Sequence, residues 1–210
     1  MTRVIIVDDH AIVRRGLRGI LADHPGVEVV GEAGEYSELR LLLRDTDADL
    51  ILLDVGLPGK SGIEILRALS EEYAHLKVLV LSIYPEDQYA LRALKAGASG
   101  YLNKGSAPDE LLKAIDTIAR GKKYITPALA QALVENLTGG GDERPHEKLS
   151  NREFQTLCMI ASGKRLSDIA DALALSPKTV SVYRARILEK MTLSNNAELT
   201  HYALKNKLVE

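Results

Sequence analysis

The sequence predicts an α/β domain followed by a small all-α domain, and three observations support this division. Short, unbroken apolar runs alternate with helical patterns over about the first 120 residues, as in a parallel sheet covered by helices. From residue 148 onward only helical patterns occur. Between the two regions, residues 139–145 are polar and rich in glycine, which predicts a flexible linker.

Composition limits the class of protein. Hydrophobic residues make up 46% of the 210 residues, enough for real cores, and the aromatic share of 4% means that those cores are aliphatic. The single cysteine, Cys158, excludes an internal disulfide and indicates a reducing compartment, and its apolar surroundings predict a buried, inert thiol. Without a long apolar run or a signal peptide, we expect a soluble cytoplasmic protein with no membrane partner.

Charge is divided unevenly along the chain. Residues 1–138 hold 16 basic and 20 acidic side chains, whereas residues 148–210 hold 10 basic and 6 acidic ones. The first part is therefore acidic and the tail basic. This predicts that the tail alone binds nucleic acid.

The first region reads as five β-α units. Unbroken apolar runs predict the strands, and spacings of three and four residues predict the helices. The predicted strands are 3–7, 27–30, 50–53, 78–81 and 100–102, and the predicted helices are 10–21, 39–43, 62–73, 85–95 and 108–120. Right-handed crossovers then give a five-stranded parallel sheet.

Five more helices are expected beyond this region. Residues 127–137 predict a helix before the linker. In the tail, Ser150 and Glu153 form a capping-box pattern, and Ser176 followed by Pro177 predicts the start of another helix. The first of the four tail helices is expected to begin at residue 151. The other three are expected to cover 167–173, 177–191 and 197–208.

Carboxylates follow two of the predicted strands directly. Asp8 and Asp9 end the run before them, and Asp54 ends the run 50–53. A flavodoxin-like strand order, 2-1-3-4-5, would bring these side chains together at the carboxyl edge of the sheet. Three carboxylates there favour a hard cation such as Mg²⁺. The alternative is that they are ordinary strand-end or helix-capping acids.

Two further polar side chains follow predicted strands. Ser82 ends the fourth run and Lys104 follows the fifth. Each alone is typical of a helix start or a surface, but beside the carboxylates they complete a phosphoryl-transfer set. A carboxylate can form an aspartyl phosphate, Mg²⁺ and lysine can neutralise the phosphoryl oxygens, and a hydroxyl can hydrogen-bond one of them.

On these residues, with the Leu57-Pro58 turn, Gly62 and Tyr101, residues 1–122 resemble a receiver domain of a two-component response regulator. The resemblance implies a flavodoxin-like (βα)5 fold with Asp54 as phosphoacceptor. It implies that Asp9, Asp54 and the Gly56 carbonyl bind Mg²⁺ directly and that Asp8 acts largely through water. Lys104 would pair with the phosphoryl group, and Ser82 and Tyr101 would form the switch. Gly105 stands where many receivers have proline, which removes an expected cis bond and leaves the lysine chemistry intact.

The second and third tail helices have helix-turn-helix spacing. On the third helix, Val180, Ile187 and Met191 share a predicted core face. The remaining surface is either a solvated face of mixed charge or a recognition surface in the DNA major groove. The predicted DNA-binding residues are Lys178, Thr179, Ser181, Val182, Ala185, Arg186 and Lys190.

Residues 148–208 resemble the tail domain of NarL/FixJ-type (LuxR-type) regulators. The similar stretches are 149–153, 169–170, 175–180 and 187–191. Ser167-Asp168 departs from the residues frequent there, which alters the local charge. The predicted domains are therefore a receiver, 1–122, a linker helix and flexible linker, 123–147, and a four-helix LuxR-type helix-turn-helix domain, 148–210.

The combined prediction is a phosphorylation-dependent transcription factor. A sensor histidine kinase would phosphorylate Asp54, and the active protein would be a homodimer on double-stranded DNA. The receiver would catalyse only its own phosphorylation and dephosphorylation. Leu199, Tyr202, Ala203 and Leu208 of the last helix are predicted as a tail dimer contact. Two alternatives are a phosphate-insensitive DNA binder with a scaffolding receiver and a Mg²⁺-dependent phosphohydrolase. The second ranks low because no carboxylate lies two residues after Asp54.

Overall fold

The structure is a computed structural model that describes residues 1–84, 86–138 and 144–209. The chain divides into two compact units, Met1–Val134 and Glu135–Glu210. Each unit is described by itself below.

The first unit contains a parallel sheet with helices between its strands. Its strands are β1 (Thr2–Val7), β2 (Val27–Ala33), β3 (Leu50–Asp54), β4 (Lys77–Ser82) and β5 (Gly100–Asn103). Its helices are α1 (Ala11–Ala22), α2 (Tyr36–Asp45), α3 (Gly62–Glu72), α4 (Glu86–Lys95), α5 (Pro108–Ala119) and α6 (Pro127–Thr138), whose residues from Glu135 onward belong to the second unit. The predicted fold class is confirmed. The predicted start of α4 at residue 85 lies outside the described residues.

The strand order is β2-β1-β3-β4-β5, the predicted flavodoxin-like order. In β1 the side chains from Val4 to Val7 are buried on both faces, and every residue of β3 is buried. This is the environment expected when helices cover both faces of a parallel sheet. Helix α5 buries Leu111, Ile115 and two further side chains against the sheet.

β2 is three residues longer than predicted. Polar and glycine residues after Val30 end the apolar run, but pairing with β1 continues through Ile5–Gly31 to Val7–Ala33 after a register shift at Val4/Ile5. The backbone hydrogen bonds of the ladder thus extend the strand where its side chains give no signal.

The second unit is helical. It contains a 3-10 turn, Pro145–Lys148, and the helices α7 (Asn151–Ala161), α8 (Leu166–Leu173), α9 (Pro177–Met191) and α10 (Asn196–Lys205). Ser150 and Glu153 form the predicted capping box, and Ser176 accepts a hydrogen bond from the Thr179 N–H at the start of α9. Cys158 is buried, as predicted.

The 3-10 turn was not predicted, because its residues belong to the polar segment interpreted as linker. His146 is only 3% exposed. Its Nδ1 lies 2.7 Å from the Tyr202 hydroxyl, and its ring lies against Phe154. Among the described residues after α6, regular structure thus resumes at Pro145, the end of the segment predicted to be flexible; residues 139–143 of that segment lie outside the described residues.

The predicted dimer contact on the last helix is wrong for the side chains proposed, and α10 ends at Lys205 rather than at the predicted residue 208. Leu199, Ala203 and Leu208 are each at most 1% exposed, and Tyr202 bonds His146. Their apolar spacing reflects the core of the second unit. The exposed surface of α10 carries other residues, among them Leu204 at 51% exposure.

Candidate functional site

Three carboxylates meet at the carboxyl edge of the sheet. Because β1 and β3 are neighbours, Asp8 and Asp9 at the end of β1 lie beside Asp54, the last residue of β3. One potential ligand atom from each of Asp8, Asp9, His10 and Asp54 lies within 4.8 Å of the others. This group could hold a metal ion, and its oxygen donors fit Mg²⁺.

A lysine joins the two buried carboxylates. Lys104 Nζ lies 2.6 Å from Asp8 Oδ2 and 2.8 Å from Asp54 Oδ2. The side chains of Asp8 and Asp54 are 1% and 6% exposed, so these two carboxylates are nearly removed from water and the Lys104 ammonium is the cation in contact with both.

The single ammonium does not balance both carboxylates. Burial raises the pKa of Asp54; Lys104 and the Gly56 N–H oppose that rise, and the neighbouring Asp8 adds to it. Burial lowers the pKa of Lys104, but attraction to Asp54 and Asp8 outweighs burial and leaves that pKa raised. Burial thus keeps the pKa of Asp54 raised, with a smaller contribution from Asp8, whereas the two carboxylates keep the pKa of Lys104 raised.

The turn after β3 requires a close approach of two backbone segments. A Cβ atom at Gly62 would lie 2.4 Å from the Val55 Cα, so any side chain there would displace the backbone. Within the same turn, the Gly56 N–H donates to Asp54 Oδ1 at 2.8 Å. The turn therefore fixes the orientation of the Asp54 carboxylate.

Ser82 and Tyr101 lie on neighbouring strands of this edge. Ser82 is fully buried at the end of β4, and its Oγ accepts the Tyr84 N–H at 3.0 Å. The Tyr101 hydroxyl donates to the Tyr84 carbonyl at 2.8 Å, and burial raises the pKa of its phenol well above the usual value. Both side chains therefore bond Tyr84, in the segment between β4 and α4.

One neighbour of the carboxylates was missed. His10 is absent from the predicted site residues, but its Nδ1 lies 2.8 Å from Asp9 Oδ1 and 3.4 Å from Asp8 Oδ1. The available signal was its position directly after the two aspartates.

The second unit contains the predicted helix-turn-helix geometry. Helix α8 ends at Leu173, the capping residue Ala174 has a φ of 51° in the left-handed region, and the Leu175 N–H donates to the Ala170 carbonyl at 2.8 Å. This closes α8 with a hydrogen bond typical of a helix end, and α9 begins three residues after Ala174, at Pro177.

Helix α9 divides its faces as predicted. Val180, Ile187 and Met191 are buried. The exposed residues include six of the predicted DNA-binding set, namely Lys178, Ser181, Val182, Ala185, Arg186 and Lys190. Val182, the apolar member of this set with a β-branched side chain, is 42% exposed.

Two of the predicted DNA-binding side chains have partners within the unit. The Thr179 hydroxyl lies 2.8 Å from Ser176 Oγ at the helix start. Lys190 Nζ lies 2.7 Å from Glu153 Oε2 and helps to lower the pKa of that buried carboxyl, despite the opposing effect of burial. The sequence could not show that α7 presents a carboxylate to the end of α9.

None of the helices in the described part of the chain is both long and apolar enough to cross a membrane. Residues 4–116 match the family model of the response regulator receiver domain, and residues 147–203 match that of bacterial regulatory proteins of the luxR family. The chain therefore belongs to the response regulators, and its class is that of transcriptional regulators that join a receiver to a LuxR-type DNA-binding domain.

Individual relatives agree with this assignment over nearly the whole chain. Response regulator GacA of Pseudomonas protegens is 40% identical over 210 residues, covering 100% of this chain and 99% of GacA. Response regulator UvrY of Escherichia coli (strain K12) is 37% identical over 209 residues, covering 99% and 96%. A structure of RcsB from Salmonella enterica serovar Typhimurium bound to promoter rprA with the phosphomimetic BeF3⁻ has a TM-score of 0.67 at 27% identity, covering 96% and 97%. The predicted family is confirmed, and these relatives are regulators rather than conventional enzymes.

Proposed function

We propose that Asp54 is the phosphoacceptor and that a sensor histidine kinase is the donor. The observation that carries this proposal is the contact of a nearly buried Asp54 carboxylate with Lys104, beside Asp8 and Asp9. Mg²⁺ bound by the three aspartates and the Gly56 carbonyl would supply charge neutralisation, for which their oxygen donors are suited.

The residues of the chain have distinct parts in this transfer. A carboxylate oxygen of Asp54 forms a bond to phosphorus as the phosphorus–nitrogen bond of phosphohistidine breaks and the kinase imidazole leaves. Lys104 needs only a small movement from Asp54 Oδ2 to face the phosphoryl oxygens. The Ser82 hydroxyl, buried at the neighbouring strand end, would donate to one of them.

Intact-mass spectrometry tests the assignment. With Mg²⁺ and acetyl phosphate, we expect one phosphate adduct in the wild type, none in Asp54→Asn, and a normal adduct in Asp49→Asn. Asp49 is a matched control because it lies immediately before the opposite end of the same strand. An adduct that persisted in Asp54→Asn would disprove the assignment.

We further propose that phosphorylation promotes dimerisation and DNA binding by residues 148–210, with 1–122 as the receiver and 123–147 as the connection. The exposed residues of α9 support the DNA-binding role. One helix-turn-helix covers one half-site, so a dimer matches two half-sites about one turn of DNA apart. Action on DNA would place the protein in the cytoplasm.

Sedimentation with and without beryllofluoride, followed by DNA titration, distinguishes this switch from the scaffold alternative. Beryllofluoride is expected to increase both dimer formation and operator affinity. Equal dimerisation and affinity under both conditions would favour a receiver that serves only as a scaffold. Steady hydrolysis of a phosphate ester would instead favour the phosphohydrolase.

The α9 residues are expected to contribute differently to DNA binding. Val182 is suited to contact a thymine methyl group, so Val182→Asn, which removes the apolar contact, should change base preference by about 1–3 kcal/mol. Lys178 and Ser181 precede it on the exposed surface, and Thr179 and Ala185 complete the proposed contact set. Titration against an operator and a scrambled duplex separates base preference from general affinity.

A further inference from the structure

His10 is placed to act on the same site as the carboxylates. It precedes α1 as its N-cap residue, but its side chain forms no capping hydrogen bond. Its backbone N–H donates to Asp8 Oδ1 at 2.9 Å. The local fold therefore anchors the backbone of His10 and leaves its imidazole beside Asp9.

The imidazole and the lysine contact different oxygens of Asp8. Lys104 lies 2.6 Å from Oδ2, whereas His10 Nδ1 lies 3.4 Å from Oδ1 and only 2.8 Å from Asp9 Oδ1. The His10 side chain is 65% exposed, so rotation of its ring needs no repacking of the core. His10 thus adds a nitrogen donor on a side of the carboxylate group that Lys104 does not occupy.

The distances fit one shared ion. The potential ligand atoms of Asp8, Asp9, His10 and Asp54 lie within 4.8 Å of one another. Two ligands on opposite sides of a first-row cation are about 4.2 Å apart, given metal–ligand distances of about 2.1 Å. Where the separation reaches 4.8 Å, bringing the two atoms about 0.6 Å closer would suffice, and rotation of the exposed His10 side chain can contribute to this.

The donor set has a chemical consequence. Mg²⁺ prefers oxygen ligands and keeps its waters, whereas imidazole suits first-row cations such as Fe²⁺, Ni²⁺ and Zn²⁺, and Mn²⁺ lies at the weak end of the same affinity series. We propose that His10 Nδ1 is a ligand for divalent transition-metal cations at the Asp8–Asp9–Asp54 site, which therefore binds them more tightly than it binds Mg²⁺. This inference rests on the proposed function only in placing a cation at these aspartates.

Electron spin-echo spectroscopy of Mn²⁺ bound to the full-length protein tests the ligation directly. A coordinated imidazole nitrogen gives a ¹⁴N modulation, which we expect in the wild type and not in His10→Ala. Mn²⁺ affinity, followed by the signal of free Mn²⁺, should fall about tenfold in this variant, whereas Mg²⁺ affinity by calorimetry should change less than twofold. His75→Ala is the matched control, because His75 is exposed and precedes β4 at the other end of the sheet, and it should retain both properties.

The results distinguish a His10 that binds the metal from a His10 that only orients Asp9. If His10 only orients Asp9 through a hydrogen bond, the nitrogen modulation is absent and Mn²⁺ and Mg²⁺ affinities fall together in His10→Ala; either result overturns the proposal. His10→Gln restores a hydrogen-bond donor without an imidazole. If His10 only orients Asp9, this variant should recover the lost Mg²⁺ and Mn²⁺ affinity; if His10 is a ligand, its Mn²⁺ affinity should stay low and its nitrogen signal should be absent. The wild-type spectrum decides the matter even if a variant fails to fold. Mg²⁺-dependent phosphorylation of Asp54 is measured separately, so either proposal can fail without the other.

Discussion

Replacing Lys104 with methionine tests whether the lysine is the counter-charge that keeps Asp8 and Asp54 buried. Its side chain is 17% exposed and the two carboxylates are 1% and 6% exposed, so screening by water is limited. Methionine retains much of the packing volume and removes only the charge. Removing one partner of a buried ion pair lowers the free energy of unfolding by about 3–5 kcal/mol, and we expect a decrease in this range for the first unit.

Amide hydrogen exchange measures this loss in the full-length protein. The slowest amides of β1 and β3 report the free energy of opening of the first unit, without assuming that both units unfold together. In the presence of a chelator, their opening free energy should fall in Lys104→Met. Lys77→Met, at the exposed start of β4, should stay within about 0.5 kcal/mol of the wild type.

Mg²⁺ should reverse part of the loss. A ligand at 100 times its dissociation constant stabilises the folded state by about 2.7 kcal/mol. The affinity for Mg²⁺ should be higher in Lys104→Met than in the wild type. In the variant, Mg²⁺ replaces the missing positive charge, whereas in the wild type it competes with the Lys104 ammonium. At equal Mg²⁺ concentration, the free energy of opening should therefore increase more in the variant than in the wild type. Unchanged exchange in chelator, or an equal Mg²⁺ gain in both proteins, would refute the counter-charge argument.

Four further predictions concern other contacts. Because its folded-state pKa is raised, the Asp54 carboxyl favours folding below its unfolded value near 3.8, and this contribution is lost as pH rises through the folded pKa. Asp54→Asn should therefore raise the melting temperature at neutral pH, and the difference should vanish in acid. Ser150→Ala should cost the second unit about 1 kcal/mol by hydrogen exchange, through loss of the α7 cap. Tyr101→Phe should cost about 1 kcal/mol by the same measurement, because the Tyr84 carbonyl loses a buried donor. Arg186→Ala should reduce the salt slope of DNA binding by about one unit without altering operator preference; a changed preference would contradict its phosphate role.

The sheet and its acidic edge could be predicted because their signals are local. The unbroken apolar run 50–53 predicts a buried parallel strand, and Asp54 is the residue directly after it. Adjacency of β1 and β3 required the expected strand order, which the structure has. Lys104 reaches these carboxylates only because β5 ends at the same edge, so the sequence indicated its chemistry but not the distances.

Partners distant in sequence account for most of what was missed. His146 is buried because Tyr202 and Phe154 surround it, and the first of these lies 56 residues away. Leu199 and Ala203 show an apolar stripe, but a stripe does not reveal whether the same chain or a second copy covers it. In neither case does the sequence pattern identify the residues that bury the side chain.

The charge at the acidic edge connects the geometry to the proposed switch. Asp8, Asp9 and Asp54 with Lys104 leave about two uncompensated negative charges when ionised, which is why a divalent cation suits the site. Phosphorylation would add up to about one further negative charge at Asp54. Lys104 would then face the phosphoryl oxygens, and the Ser82 hydroxyl would turn toward them. Because Ser82 Oγ now accepts the Tyr84 N–H, that reorientation would change a hydrogen bond in the segment between β4 and α4, the same segment whose carbonyl is held by the buried Tyr101 hydroxyl.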